Sequence, residues 1–386
     1  MVNDFSFASV SDVRIGPGSS AELGDCALNL RISHALVVTD RDILGLGLLD
    51  AALQNLKQCG IEVTLFSDVV ADPPESVVYA ALHLAKAEAC DGVIGFGGGS
   101  SMDVAKLLAA LAKGNQELSE MYGVDQVTGS RLPLIQVPTT AGTGSEATMV
   151  SIITTGETTK AGVVSGVLLA DSIILDAVLT LGLPAHVTAA TGIDAMVHAI
   201  EAFTSSRLKN PLSDMLAKEA LRLLSRNITS CVKYGDDLES RQAMLIGAML
   251  AGQAFANAPV AAVHALAYPL GGNYHIPHGL SNSLVLPHVL RFNEPSANHL
   301  YHQLTPAILG KGIENIDGAQ ATAELADYFL KLARDFELPT RLRDMSIPEE
   351  DLPRLADEAL LQQRLLINNP RKVEIQDALN IYRQAY

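Results

Sequence analysis

The chain has 386 residues, 48% of them apolar and 18% charged, with a net charge of −16. At roughly 150 residues per domain this makes two or three globular domains with cores large enough to need no staples, and it excludes a disordered chain. The acidic balance argues against nucleic acid and anionic membranes as partners, but not against a small anion held by local basic groups and backbone N–H groups. Cys26, Cys59, Cys90 and Cys231 lie far apart with no Cys-x-x-Cys pair. They read as small buried hydrophobes in a reducing cytoplasm, not as disulfides or a zinc cluster. No basic stretch followed by an apolar run opens the sequence, and no run of about 18 apolar residues occurs, so neither a signal peptide nor a membrane span is expected.

Residues 13–20 read as a strand end, a turn and a Ser-capped helix start. Residues 34–40 are a short apolar run ending in Asp40, the pattern of a buried parallel strand. A helix over 43–60, a strand over 61–66, a helix from 73 to about 90, a strand over 91–96 and a helix over 102–113 follow. Strand 132–138 runs into a loop from Thr139 to Glu146. Residues 149–153 and 156–162 read as a β-hairpin, and 172–176 as a last strand. This alternation predicts an α/β domain with a mainly parallel sheet, whose ligands bind at the carboxyl ends of the strands.

Two features fall at such ends. Gly97, Gly98, Gly99 and Ser100 stand between a strand and a helix, where the backbone can approach a phosphate and free N–H groups face an anion. The stretch departs from Gly-x-Gly-x-x-Gly, so a plain tight turn is the other reading. Asp40 can take both hydroxyls of a ribose and repel a 2′-phosphate, or simply cap a helix. Asp103 caps its helix or orients the loop. Thr139, Thr140 and Thr143 offer hydroxyls to a nucleotide or form a polar turn, and Lys160 reaches a phosphate or stays a solvated charge.

From Pro184 the pattern turns helical, over 185–204, 211–231, 237–256, 259–270, 280–292, 318–336, 351–364 and 373–385. No long linker intervenes, so the expected domains are 1–182, α/β, and 183–386, all-helical. Asp194 and His198 are four residues apart, which on a helix stacks them on one face with Cβ atoms about 6 Å apart. With His264 and His278 they make one carboxylate and three imidazoles, a donor set for Fe²⁺, Zn²⁺, Co²⁺ or Ni²⁺ and not for Ca²⁺ or Mg²⁺. A single histidine in an apolar helix would otherwise bond a carbonyl. His34, His83, His186, His299 and His302 keep that bland reading.

Taken together and in order, Gly97-Gly-Gly-Ser-x-x-Asp103, Pro138-Thr-Thr-Ala-Gly-Thr-x-x-Glu146, Gly192-x-Asp194-x-x-x-His198, His264-x-x-x-x-Pro-Leu-Gly, Pro277-His278-Gly279 and Asn369-Pro-Arg371 resemble the iron-containing (group III) alcohol dehydrogenases over nearly the whole chain. The resemblance implies a dinucleotide-binding α/β domain, an all-helical metal domain, NAD(H) or NADP(H), and a homodimer. It implies metal ligation by Asp194, His198, His264 and His278. Nucleotide contacts would fall at Gly98, Gly99, Ser100, Thr139, Thr140 and Thr143, and by loop position at Lys160, with Asp40 matching the family's NAD-favouring acid.

Tyr268 stands where many relatives carry a second histidine near the nicotinamide. A phenol does not titrate near neutral pH, so proton traffic falls to Tyr268 in a different manner or to His275, whose other reading is a loop-surface ring. The expected reaction is the interconversion of a small alcohol and its aldehyde or ketone with NAD(H), a divalent metal, Fe²⁺ or else Zn²⁺, acting as Lewis acid. The rival readings are a maleylacetate-reductase-like enzyme, a lyase of the dehydroquinate-synthase type, which shares this architecture and uses NAD only transiently, and a non-enzymatic binder.

Overall fold

The computed structural model describes residues 4–156, 159–310 and 315–386. They form two compact units that divide between Gly182 and Leu183. Described residues up to Phe7 group with the second unit and not, as expected, with the first. The first strand begins only at Asp12, so those residues are not tied into its sheet.

The first unit contains strands β1 (Asp12–Ile15), β2 (His34–Val38), β3 (Glu62–Phe66), β4 (Gly92–Gly97), β5 (Gly123–Val124), β6 (Leu134–Pro138), β7 (Val150–Thr155), β8 (Thr159–Val164) and β9 (Ser172–Leu175). Six of them form one sheet in the order β1-β9-β6-β4-β2-β3, every pair parallel. The central strands are apolar on both faces: Ala35–Val38 and all of Gly92–Gly97 are buried, as a sheet covered by helices on both sides requires. From β2 the chain moves to β3 at one edge and returns to β4 on the other side of β2, after which β6 and β9 continue outward. The winding direction therefore reverses between β2 and β4, the place where doubly wound sheets bind ligands beyond their strand carboxyl ends. The expected hairpin is β7 and β8, antiparallel, with Glu157 and Thr158 outside the described residues; β5 joins β8 in parallel to make a second, three-stranded sheet.

Helices α1 (Leu23–Asn29), α2 (Arg41–Gly45), α3 (Asp50–Gln58), α4 (Glu75–Ala87) and α5 (Gly99–Lys113) alternate with the strands. The single helix expected over 43–60 is two, α2 and α3, separated at Gly47, whose φ of 70° suits glycine. α5 starts three residues earlier than the apolar pattern indicated, because Gly98 is extended and serves as its N-cap, so Gly99 and Ser100 form its first turn.

The second unit is all-helical, with α6 (Ala185–Thr204), α7 (Pro211–Lys233), α8 (Leu238–Asn257), α9 (Ala262–Tyr274), α10 (His278–Leu309), α11 (Gly318–Asp335), α12 (Leu352–Leu360), α13 (Gln363–Leu366) and α14 (Ile375–Ala385) among the described residues. The helix expected at 280–292 is the first half of α10, which continues through Pro287, Pro295 and Pro306. Packing of α10 against α11, α6 and α9 outweighs the cost of each proline, about 3 kcal/mol in a free helix. Among the described residues no single helix is long and apolar enough to cross a membrane.

α6 is packed on α7, α8 and α10 and is buried along most of its length. Two glycines set how closely its neighbours approach. A Cβ on Gly192 would lie 2.8 Å from both Ile228 Cδ1 and Met244 Cε, and one on Gly279 would lie 2.5 Å from the Ala190 carbonyl oxygen. The second contact is backbone to backbone and has no flexible side chain to yield. Gly279→Ala should therefore destabilise the protein by roughly 1–3 kcal/mol, read as a lowered midpoint in thermal unfolding. Gly182→Ala, at a position with nothing within 4 Å of its Cβ, should leave the midpoint unchanged.

Candidate metal centre and dinucleotide site

Three helices of the second unit bring four donors together. Asp194 and His198 come from one face of α6, His264 from the first turn of α9, and His278 from the first residue of α10. One ligand atom from each lies within 4.8 Å of all the others. Asp194 Oδ1 is 4.0 Å from His198 Nε2 and 3.8 Å from His278 Nε2. Bonds of about 2.1 Å put neighbouring donors about 3.4 Å apart in a tetrahedron, so the observed spacing fits a single transition-metal ion after a small contraction. Asp194, His198 and His264 are no more than 4% exposed, whereas the His278 side chain is 33% exposed, which leaves one side of the cluster accessible.

The electrostatics favour the ionised form of Asp194. Burial pushes the Asp194 carboxyl up, but His198, His278 and His264 and a hydrogen bond from Asn282 outweigh it, holding it below the usual carboxylate range. Rings frame the cluster: Phe255 stacks on His198 at 4.5 Å, and His198 on His264 at 4.8 Å.

Two polar residues that the sequence reading passed over complete the cluster. Glu201 Oε2 accepts from His264 Nδ1 at 2.6 Å. A carboxylate only accepts, so Nδ1 carries the proton and Nε2 keeps its lone pair for the cluster. Asn282 donates through Nδ2 to Asp194 Oδ1 at 2.6 Å, and the same nitrogen lies 3.3 Å from His264 Nε2 and from His278 Nε2. Both had a signal in the spacing. Glu201 is seven residues after Asp194 and Asn282 four after His278, each on the ligand-bearing face of its helix. Of the two groups considered for proton traffic, the Tyr268 ring lies 6.1 Å from His278 and its hydroxyl accepts from Arg364 at 3.3 Å. His275 is exposed and closes α9 in the left-handed conformation.

In the first unit, Asp40 and the glycine turn flank the reversal between β2 and β4. Asp40 Oδ1 caps α2 by accepting from Ile43 N at 2.9 Å, and its Oδ2 faces the turn, 3.7 Å from where a Cβ on Gly97 would be. Both expected uses of Asp40 are thus open to it at once, one per oxygen. The loop after β6 closes on the same turn: Thr139 N donates to Gly97 O at 3.0 Å, a Cβ on Gly99 would meet Thr143 Cγ2 at 2.8 Å, and one on Gly98 would meet Thr140 at 3.9 Å. Gly98, Gly99, Ser100, Thr139, Thr140 and Thr143 therefore surround the N-terminus of α5, a 15-residue helix.

Asp103 faces inward. It accepts from Ser145 Oγ at 2.6 Å and Ile152 N at 2.9 Å, so it orients the loop. Lys160 is paired with Asp72 at 2.6 Å on β8. Behind the loop lies Lys106, fully buried. It donates to Ser145 Oγ at 2.7 Å, Thr148 Oγ1 at 3.0 Å and Val150 O at 2.7 Å, with Asp103 Oδ1 at 3.4 Å. Burial lowers the pKa of its ammonium against the opposing pull of Asp103 and Glu146, and burial pushes the Glu146 carboxyl up to about 7.

A reversal-point turn in a doubly wound sheet and a cluster of one carboxylate and three imidazoles that could hold a metal ion, carried by one chain, suit a metal-dependent dehydrogenase. Comparison with known proteins agrees. Residues 11–177 match the profile of the iron-containing alcohol dehydrogenases, and residues 188–386 that of the family's C-terminal domain. The chain is 39% identical to long-chain-alcohol dehydrogenase 1 of Geobacillus thermodenitrificans, covering 96% of this chain and 94% of that one. It is 36% identical to 1,3-propanediol dehydrogenase of Klebsiella pneumoniae, covering 96% of each. A solved structure of a 1,3-propanediol oxidoreductase superimposes with a TM-score of 0.96 at 35% identity, over 100% of both chains. The chain belongs to the iron-containing alcohol dehydrogenase family.

Lys106 is the donor shared by Ser145 Oγ, Thr148 Oγ1 and Val150 O beside Asp103, so its removal leaves these acceptors uncompensated in a buried site. Lys106→Met should cost about 3 kcal/mol of stability, seen as an earlier urea transition of the α/β unit.

Proposed function

We propose that the chain interconverts a small alcohol and its aldehyde or ketone with NAD(H), using one divalent ion held by Asp194, His198, His264 and His278. The observation that carries this reading is the convergence of those four donors within 4.8 Å from three separate helices. Iron(II) is the ion we assign, with zinc the alternative that one carboxylate and three imidazoles also accept. Among relatives, one is a methanol dehydrogenase described as NAD-dependent, from Bacillus methanolicus, 31% identical over 96% of this chain. It supports the choice of cofactor.

The bound ion supplies Lewis acidity, making a hydroxyl more acidic or a carbonyl more electrophilic at neutral pH. The protein's residues do the rest. Gly98, Gly99 and Ser100 offer N–H groups and the positive end of α5 to the pyrophosphate. Thr139, Thr140 and Thr143 line the same turn. Asp40 Oδ2 takes the ribose hydroxyls while Oδ1 keeps its helix capped. Tyr268, anchored by Arg364 with its ring 6.1 Å from that of His278, is better placed to hydrogen-bond a reacting oxygen than His275, which is exposed at the end of α9. Lys160 reaches a nucleotide only by exchanging Asp72 for it. NAD(H), held by the residues of the glycine turn, would supply the hydride chemistry, so an ion held by Asp194, His198, His264 and His278 would need no change of oxidation state.

Metal analysis with a panel of short alcohols, diols and aldehydes tests the proposal through net NADH production, which a lyase using NAD transiently would not give. Asp194→Ala should lower kcat by at least about a hundredfold while NADH still binds; retained turnover would remove the ion from the mechanism. Asp40→Ser keeps a capping oxygen and removes the charge. It should raise kcat/KM for NADP relative to NAD by about tenfold or more, and an unchanged ratio would take the ribose away from Asp40.

A further inference from the structure

We infer that Glu201 is a positioning residue of the metal site, fixing the ring of His264 and balancing the charge of the ion, while also capping the helix that carries that ring. The inference rests on the reading of Asp194, His198, His264 and His278 as metal ligands.

Glu201 is 4% exposed. It lies on α6 seven residues after Asp194 and three after His198, so one helix face supplies two ligands and the group behind a third. Its two oxygens receive three donors: His264 Nδ1 at 2.6 Å, Ala261 N at 3.0 Å and Val263 N at 2.7 Å. The last two are free N–H groups at the start of α9, which otherwise has no side-chain cap. The preceding turn is gripped as well. Ser205 Oγ donates to Pro259 O at 2.8 Å, and Asn368 Nδ2 to Val260 O at 2.9 Å. His264 is thus held from behind by a carboxylate, on a helix start that the same carboxylate fixes.

Two consequences follow for an ion. The Nδ1–H bond to a carboxylate sets the tautomer and ring plane and makes Nε2 a stronger donor. Asp194 and Glu201 together bring two carboxylates to the cluster, which offsets a divalent ion in a buried site. A glutamine at 201 would fail on both counts: it has one acceptor oxygen for three donors and no charge.

The test is cobalt(II) binding by the full chain, read by chelator competition and visible absorption, for wild type, Glu201→Gln, Glu201→Asp and Asp194→Ala. Glu201→Gln should weaken the dissociation constant about 10- to 100-fold and change the cobalt band. Glu201→Asp keeps the charge but falls one methylene short of His264; it should fold, weaken binding in the same direction, and carry the test if Glu201→Gln does not fold. If a Glu201 variant lowers the unfolding temperature yet binds cobalt within about twofold of wild type with the same spectrum, Glu201 is only a helix cap and the inference falls. If wild type takes up no cobalt, or Asp194→Ala binds it as wild type does, the four-ligand reading itself fails first.

Discussion

A carboxylate removed from water has to meet positive charge or N–H donors, and Asp194 meets both inside a helical core. At 2% exposure it faces three imidazoles and the Asn282 amide, and much of the second unit serves that arrangement. Gly279 lets the start of α10 come to within contact of the α6 backbone at Ala190, which sets His278 and Asn282 against Asp194. Glu201 does the corresponding work for α9. The cluster is therefore a property of how three helix segments meet, and any change in that meeting is felt at the donor atoms.

The α/β unit obeys a different constraint. Its sheet order reverses between β2 and β4, and the space beyond the strand ends at a reversal has no strand-to-helix connection crossing it. Asp40, the glycine turn and the threonine loop are simply the first residues past the ends of β2, β4 and β6. What keeps them from relaxing is polar. Asp103 and Lys106 tie the start of α5 to Ser145, Thr148, Val150 and Ile152, so the loop after β6 is held from beneath.

The sequence is most readable where one periodicity decides. Alternation of strands and helices gives the parallel sheet, and the spacing of Asp194 and His198 gives two donors on one face. α6 was expected over the residues it occupies, 185–204. Partners that depend on tertiary contact are less visible. Glu201 and Asn282 have helical spacing in their favour, yet a buried Glu or Asn in an apolar helix has many possible uses until the neighbouring helix is in place. Lys106 drew no reading from the sequence, and only the packing of α5 makes it a core residue. The helix expected over 280–292 falls short of α10, which packing along its length carries on through Pro295 and Pro306. The break between α2 and α3 was missed because Gly45 and Gly47 interrupt an apolar pattern without changing its period.

Lys106 also has a practical consequence. Its three ammonium protons all find acceptors within the fold, on Ser145, Thr148 and Val150, and none faces bulk water. Amine-reactive labels need solvent access, and this side chain has none while the unit stays folded. Acylation at that one position would report opening of the α/β core, giving a footprinting experiment an internal gauge of unfolding with no engineered probe.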